Sequence, residues 1–316
     1  MIASNKRLDD ILIKEEYEKI EKYLREININ KKARLKIIEG IKLPEDLILS
    51  LSAGIPLILG VIYDYMDIIH ASIASIIYVT PLFFKIWNVR RAIAYYSPLT
   101  GSIYYKRKSS EKKINGLLNA FYSSNIKIKK KGVIGLEISG DHIVLYPVYI
   151  DKNNNNIEKI ISKAVIDAIL AHEISHTIVG GSDIKASALG FLLYYKINKL
   201  FKHKKARKIV RKNIKRCVEY VINNKKYNKY SIGECYAIID LYRNNFSIDI
   251  NKEIEKLRYM NDKDIIAEIK DYAFNYLKKF KHMKDKDIIN EIRDYTPNYS
   301  KLKYLKIFFK LIYIWT

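Results

Sequence analysis

Proline and glycine are scarce, at 6 and 12 of 316 residues. That excludes a collagen-like or proline-rich low-complexity chain, and a hydrophobic fraction of 49% leaves ample material for a core. Two cysteines, Cys217 and Cys235, are too few for a disulfide scaffold. Reduced thiols in a cytoplasmic domain are expected. The start, MIASNKRLDDILIKEEYEK, holds no continuous apolar core, so no signal peptide is expected. Acidic residues are outnumbered, 34 against 57 Lys and Arg, for a net charge of +23. No dense arginine stripe, Cys/His finger or recognition-helix signature accompanies that charge. A solvated lysine-rich surface accounts for it, and no specific nucleic-acid partner is expected. No internal repeat is visible.

What the chain does contain begins with amphipathic spacing. Residues 6–42 alternate charged and apolar positions, with Ile11, Ile20, Leu24 and Ile27 at helical intervals. The pattern predicts one or two amphipathic helices, and residues 1–46 are read as an N-terminal segment. Two uncharged runs follow, 47–63 and 68–84, joined by Asp64-Tyr65-Met66-Asp67. Each is about 17 residues, near the lower length that spans the ~30 Å hydrocarbon layer. Lys42 precedes the pair, and Lys85, Arg90 and Arg91 follow it. The expectation is a transmembrane helical hairpin over 47–84 in a multi-pass membrane protein, with the lipid bilayer as a partner and the catalytic domain on the cytoplasmic side.

Residues 95–316 are read as one domain. GVIGLEISG and HIVLYPVYI, at 132–140 and 142–150, flank Gly140-Asp141 and predict a β-hairpin. Ile157 to about Thr177 predicts a helix apolar nearly all round, ended by Gly180-Gly181. The apolar run in 184–200 is too short to span a bilayer and predicts a packed or interfacial helix. A basic helical stretch over 201–229 comes next. A helix over 231–243 then has Ser231 and Glu234 at capping-box spacing. Charged amphipathic helices are expected over 253–295, and an apolar terminus, YLKIFFKLIYIW, closes the chain.

The segment that carries chemistry is His172-Glu173-Ile174-Ser175-His176. Histidines four apart on a helix lie one above the other, which suits two nitrogens on one tetrahedral zinc per chain. Glu173, rotated to one side, is placed to take a proton from zinc-bound water as general base. A third ligand is needed. Asp183 follows the glycine break, and Glu219, Glu234 and Asp240 lie on downstream helices. No later histidine follows at the spacing of the three-histidine class. Glu234 is favoured, because Ala237, Ile238, Ile239 and Leu241 place its helix against a core. An exposed edge of 133–138 or 143–150 is the expected partner for an extended protein or peptide substrate. An oxyanion donor is also needed, and 26 tyrosines do not single one out.

Over roughly residues 47–305 the chain resembles the M48 family of membrane-associated zinc metallopeptidases. The similarity rests on the 47–84 hairpin, Leu118-Asn119-Ala120-Phe121, GVIGLEISGDHIVLYPV, AILAHEISHTIVGG over 168–181, and Glu234-Cys235-Tyr236-Ala237. The resemblance implies an α+β, mainly helical zincin-like metallopeptidase domain with a small β-sheet, behind a transmembrane hairpin. It implies zinc held by His172, His176 and Glu234, and endopeptidase activity through Glu173. Ile238 stands where the family has Asp. Tyr295-Thr296-Pro297 keeps a proline but lacks the family's histidine, and Leu302 or Lys303 stands where it has arginine. These departures motivate an alternative expectation, a non-catalytic zinc-binding membrane or partner-binding protein derived from such a peptidase.

Overall fold

The computed structural model describes residues 2–29, 33–39, 70, 73, 92–98, 100–123, 132–136, 144–150, 156–224 and 226–281. The fold is α+β and mostly helical. A long helix α1 (Ile2–Glu26) leads to strand β1 (Arg34–Ile38). Strands β2 (Ala94–Ser97) and β3 (Ser102–Lys106) and helix α2 (Arg107–Ser123) follow. Then come β4 (Gly132–Leu136), β5 (Tyr146–Ile150), α3 (Ile157–Val179) and α4 (Asp183–Ile197). After a 3₁₀ turn over Leu200–Lys202, the chain continues through α5 (Lys204–Asn223), α6 (Lys229–Arg243), α7 (Ile250–Tyr259) and α8 (Asp262–Lys281).

The first sheet has the order β1-β3-β2, with β1 parallel and β2 antiparallel to β3. β4 and β5 pair antiparallel, Gly132 opposite Ile150, as the hairpin expectation required; its turn lies outside the described residues. The stretch 34–38, expected to be helical, is a strand. Five residues of alternating polarity fit either period, and pairing with β3 decides for the strand. α1 is amphipathic as expected. Ile13, Tyr17, Ile20 and Leu24 enter the same core as α3, so the N-terminal segment packs into the main body.

The centre of the molecule is a layer of three helices. α3 buries Ile161, Val165, Leu170, Ile174 and Ile178. α4 is buried over most of its length, and α6 is buried from Ser231 to Leu241. Two glycines set how closely these helices cross. A β carbon on Gly190 would lie 2.8 Å from His172 Cα and 3.0 Å from His172 N, so α4 lies directly on the backbone of α3. A β carbon on Gly233 would overlap the Ile184 carbonyl oxygen and lie 2.8 Å from Ser187 Cβ, so α6 lies equally close to α4. Both cysteines are free and buried, Cys217 on α5 and Cys235 on α6.

A buried charge cluster ties α1 to this layer. Lys19 Nζ lies 2.8 Å from Glu16, 2.7 Å from Asp167 on α3 and 3.2 Å from Asn198 Oδ1. Lys163 Nζ holds the other oxygen of Glu16 at 2.8 Å.

The expected multi-pass membrane location is overturned. Among the described residues, no helix is long and apolar enough to cross a membrane. α4 comes nearest in character, but its 15 residues rise only about 22 Å, against the ~30 Å of a hydrocarbon layer. Its apolar side chains are used up against α3 and α6. Except for His70 and Ile73, the 47–84 segment lies outside the described residues, as does everything beyond 281.

Candidate metal centre

HEISH occupies the C-terminal end of α3. Asn156 caps the start of this helix, its side chain accepting from Lys159 N, and Glu158 suits the positive end of the helix dipole. Gly180 ends the helix at φ +90, a conformation that disfavours any other residue, and its N–H donates to His176 O. The chain reverses over Gly180-Gly181. Ser182 then caps α4, with Asp183 in the first turn.

His172 and His176 project from one face, and their Nε2 atoms lie 3.2 Å apart. Two nitrogens each ~2.0–2.1 Å from a tetrahedral zinc would be separated by about 3.3–3.4 Å, so the pair is already spaced for chelation. The other ring nitrogens are held in place. His176 Nδ1 is 3.1 Å from the Gly180 carbonyl, which can only accept. The proton therefore sits on Nδ1 and the Nε2 lone pair faces the site. His172 Nδ1 lies 3.2 Å from Ser187 Oγ on α4. Burial lowers the pKa of His176 against the opposing pull of Gly180 and Asp183, which favours the neutral, ligating form.

Asp183 supplies the third donor. Its Oδ1 lies 3.6 Å from His176 Nε2. His172, His176 and Asp183 each offer a ligand atom within 4.8 Å of the others, the single such group among the described residues. Two imidazoles and one carboxylate form a zinc-type donor set that leaves a position open for water.

Glu234, the expected third ligand, lies outside this group. It is fully buried on α6, and its Oε1 accepts from Tyr146 Oη of β5 at 2.8 Å. The reason is helix phase. Asn228 caps α6, accepting from Tyr230 N at 2.9 Å and Ser231 N at 3.2 Å. Ser231 is inside the helix and buried, so the expected capping box does not form. The other two candidates are engaged elsewhere. Glu219 pairs with Lys215 at 3.8 Å on α5, and Asp240 accepts from Asn244 Nδ2 at 3.1 Å.

Glu173 is buried beside His172, and its carboxyl is pushed up to about 8, first by burial and then by the charge of Asp183. The backbone N–H of Tyr96 donates to it and works the other way. Lys229 Nζ, 3.6 Å from Asp183 Oδ2, is the cation at the rim, and it is 66% exposed. Two carboxylates and two neutral imidazoles so arranged fit a divalent cation, which would draw the Glu173 value back down.

Two further features were not visible in the sequence. β2 brings Tyr96 to Glu173, so the strand that meets the base is β2 and not β4 or β5 as expected. Ile93 and Lys106 are hydrogen-bonded across β2 and β3, and the alternation turns the backbone groups of Ala94 and Tyr96 to the outer edge. Tyr230, in the first turn of α6, has its ring centroid 5.3 Å from that of His172. Its phenol is pushed up to about 12 by burial, then by the charges of Asp183 and Glu173, although the residue as a whole is 38% exposed.

No known protein family, no curated protein and no solved structure matches the chain. What the centre can do follows from its own geometry.

Proposed function

We propose that the protein is a zinc-dependent endopeptidase with a zincin-like catalytic domain, a divergent relative of the M48 metallopeptidases. The observation that carries this reading is the 3.2 Å approach of two oriented Nε2 atoms, with a buried glutamate next to the first histidine and a carboxylate closing the set. His172, His176 and Asp183 would hold the ion. Zinc supplies a Lewis acid there and makes bound water acidic enough to lose a proton near neutral pH.

The chain's own groups do the rest. Glu173 accepts the proton of the attacking water as its oxygen bonds to the carbonyl carbon of the substrate peptide. Glu173 then returns that proton to the amide nitrogen as the C–N bond breaks, giving a carboxylic acid and an amine. The outer edge of β2 runs past Glu173, so an extended substrate pairing along it would bring its carbonyl beside the base. Ser187 and the Gly180 carbonyl orient the histidines, the part for which the family uses an acid at the position of Ile238.

The test is Glu173→Gln in the full-length chain, with zinc content by mass spectrometry and cleavage of labelled casein. Stoichiometric zinc with cleavage lost is the expected outcome. Cleavage retained by the variant would overturn the mechanism.

A further inference from the structure

The proposed reaction puts negative charge on the carbonyl oxygen of the scissile peptide, and a second donor besides the ion is needed to hold it. Among the described residues, the polar side chains around the centre can be sorted by what they already do. Ser187 Oγ is engaged with His172 Nδ1 at 3.2 Å. Glu173 is the base. Lys229 lies against Asp183 and extends into solvent. Tyr146 is buried behind α4 and α6 and donates to Glu234. Tyr230 is different. Its ring stands against His172, its oxygen is close enough to feel the charges of both Asp183 and Glu173, and the residue is open to solvent on its far side.

Its position is built into the helix crossing. Gly233 lets α6 seat directly on α4 at Ile184 and Ser187. Tyr230 is three residues earlier, on the same face one turn away. Asn228 fixes the start of the helix by accepting from Tyr230 N. The contact that anchors α6 therefore also aims Tyr230 over the metal ligands, from the side opposite the β2 edge that meets Glu173.

We infer that Tyr230 is a catalytic residue of the proposed peptidase, its phenolic O–H donating to the carbonyl oxygen of the scissile bond. The inference rests on the peptidase reading. It assigns the base and the oxyanion donor to different helices, Glu173 on α3 and Tyr230 on α6, with the substrate carbonyl between them.

The experiment uses the full-length chain loaded with zinc, as wild type, Tyr230→Phe and Tyr230→His. Cleavage sites are mapped in casein, and a phosphinic peptide copying one site, tetrahedral at the scissile position, is compared with the uncleaved peptide bearing the same sequence. For Tyr230→Phe, zinc content and KM stay unchanged and kcat falls about 10²-fold. Affinity for the phosphinic peptide falls by a similar factor while affinity for the flat peptide is kept, a split that a merely structural residue would not give. Tyr230→His, which keeps a donor, recovers part of both losses. Equal kcat and equal phosphinic affinity in wild type and Tyr230→Phe would overturn the assignment and leave the peptidase reading standing. Equal weakening of both ligands would also overturn it, as a packing effect. A wild-type protein that neither cleaves casein nor yields a site to copy would overturn both readings together.

Discussion

Gly190 on α4 rests on the backbone of His172 on α3, with no room for a β carbon between them. The metal ligand and the closest point of the helix crossing are the same residue. Gly190→Ala should force the helices apart or bend α3 at the ligand. A loss of about 1–3 kcal/mol in unfolding free energy is expected, together with weaker zinc binding. Urea unfolding and zinc titration on the same protein check this; a variant that loses neither would show that the crossing has slack.

The choice of third ligand is decided by a pair of variants. Asp183→Asn should weaken zinc binding by more than the ~10–100-fold typical of losing an outer-shell partner. Glu234→Gln should keep zinc near wild-type affinity, because its carboxylate is committed to Tyr146. The reverse ranking in a competitive chelator titration would restore Glu234 as the ligand. Tyr146→Phe, which strands that buried carboxylate, should cost about 1–3 kcal/mol of stability and leave zinc affinity unchanged.

Lys19 is the cation between two carboxylates that are each 2% exposed, Glu16 and Asp167. Burial and the charge of Glu16 push Asp167 up to about 7, against the pull of Lys19. Lys19→Met should therefore destabilise the fold by about 3 kcal/mol, the low end for breaking a buried pair, since Lys19 itself is 38% exposed. Adding Asp167→Asn should recover part of that loss. Thermal melts of the single and double variants give the comparison.

Stability should also fall as pH rises towards neutrality, for a reason located between α6, α7 and α8. Glu253 is pushed up to about 7, first by burial and then by the charge of Asp240, with Lys256 opposing and Glu268 adding to the rise. Asp240 is raised as well, mainly by burial. A raised carboxyl holds its proton in the folded state after the unfolded chain, at ~4.3 for Glu, has lost it. The folded state then binds more protons across that interval. Its contribution is fully present below the unfolded value and is lost as pH rises through about 7. Glu253→Gln should flatten this part of the profile. Urea midpoints between pH 5 and 8 that decline as steeply in the variant as in wild type would assign the slope elsewhere.

The legibility of the site tracked how local its parts are. His172, Glu173 and His176 follow from the period of one helix, and the end of that helix from its glycines. Asp183 was visible as a candidate, but its reach depends on the reversal at Gly180-Gly181, which folds seven residues of chain back onto His176. Glu234 was placed on the right helix with the wrong phase, because Asn228 caps it and Ser231 does not. β2 carries four residues and β1 five, too few for a period to declare itself. Their pairing is long-range, set by β3. Tyr230 was one tyrosine among 26 until a glycine crossing aimed it.

The glycine corner between α3 and α4 has a thermodynamic consequence. Its two sides carry the donors, His172 and His176 before it and Asp183 after it. An ion bound there is a staple across a bend, so occupancy and closure of that corner are a single linked equilibrium. Chelation should loosen this corner first, and hydrogen exchange should quicken at residues 177–185 while the buried middle of α4 stays protected.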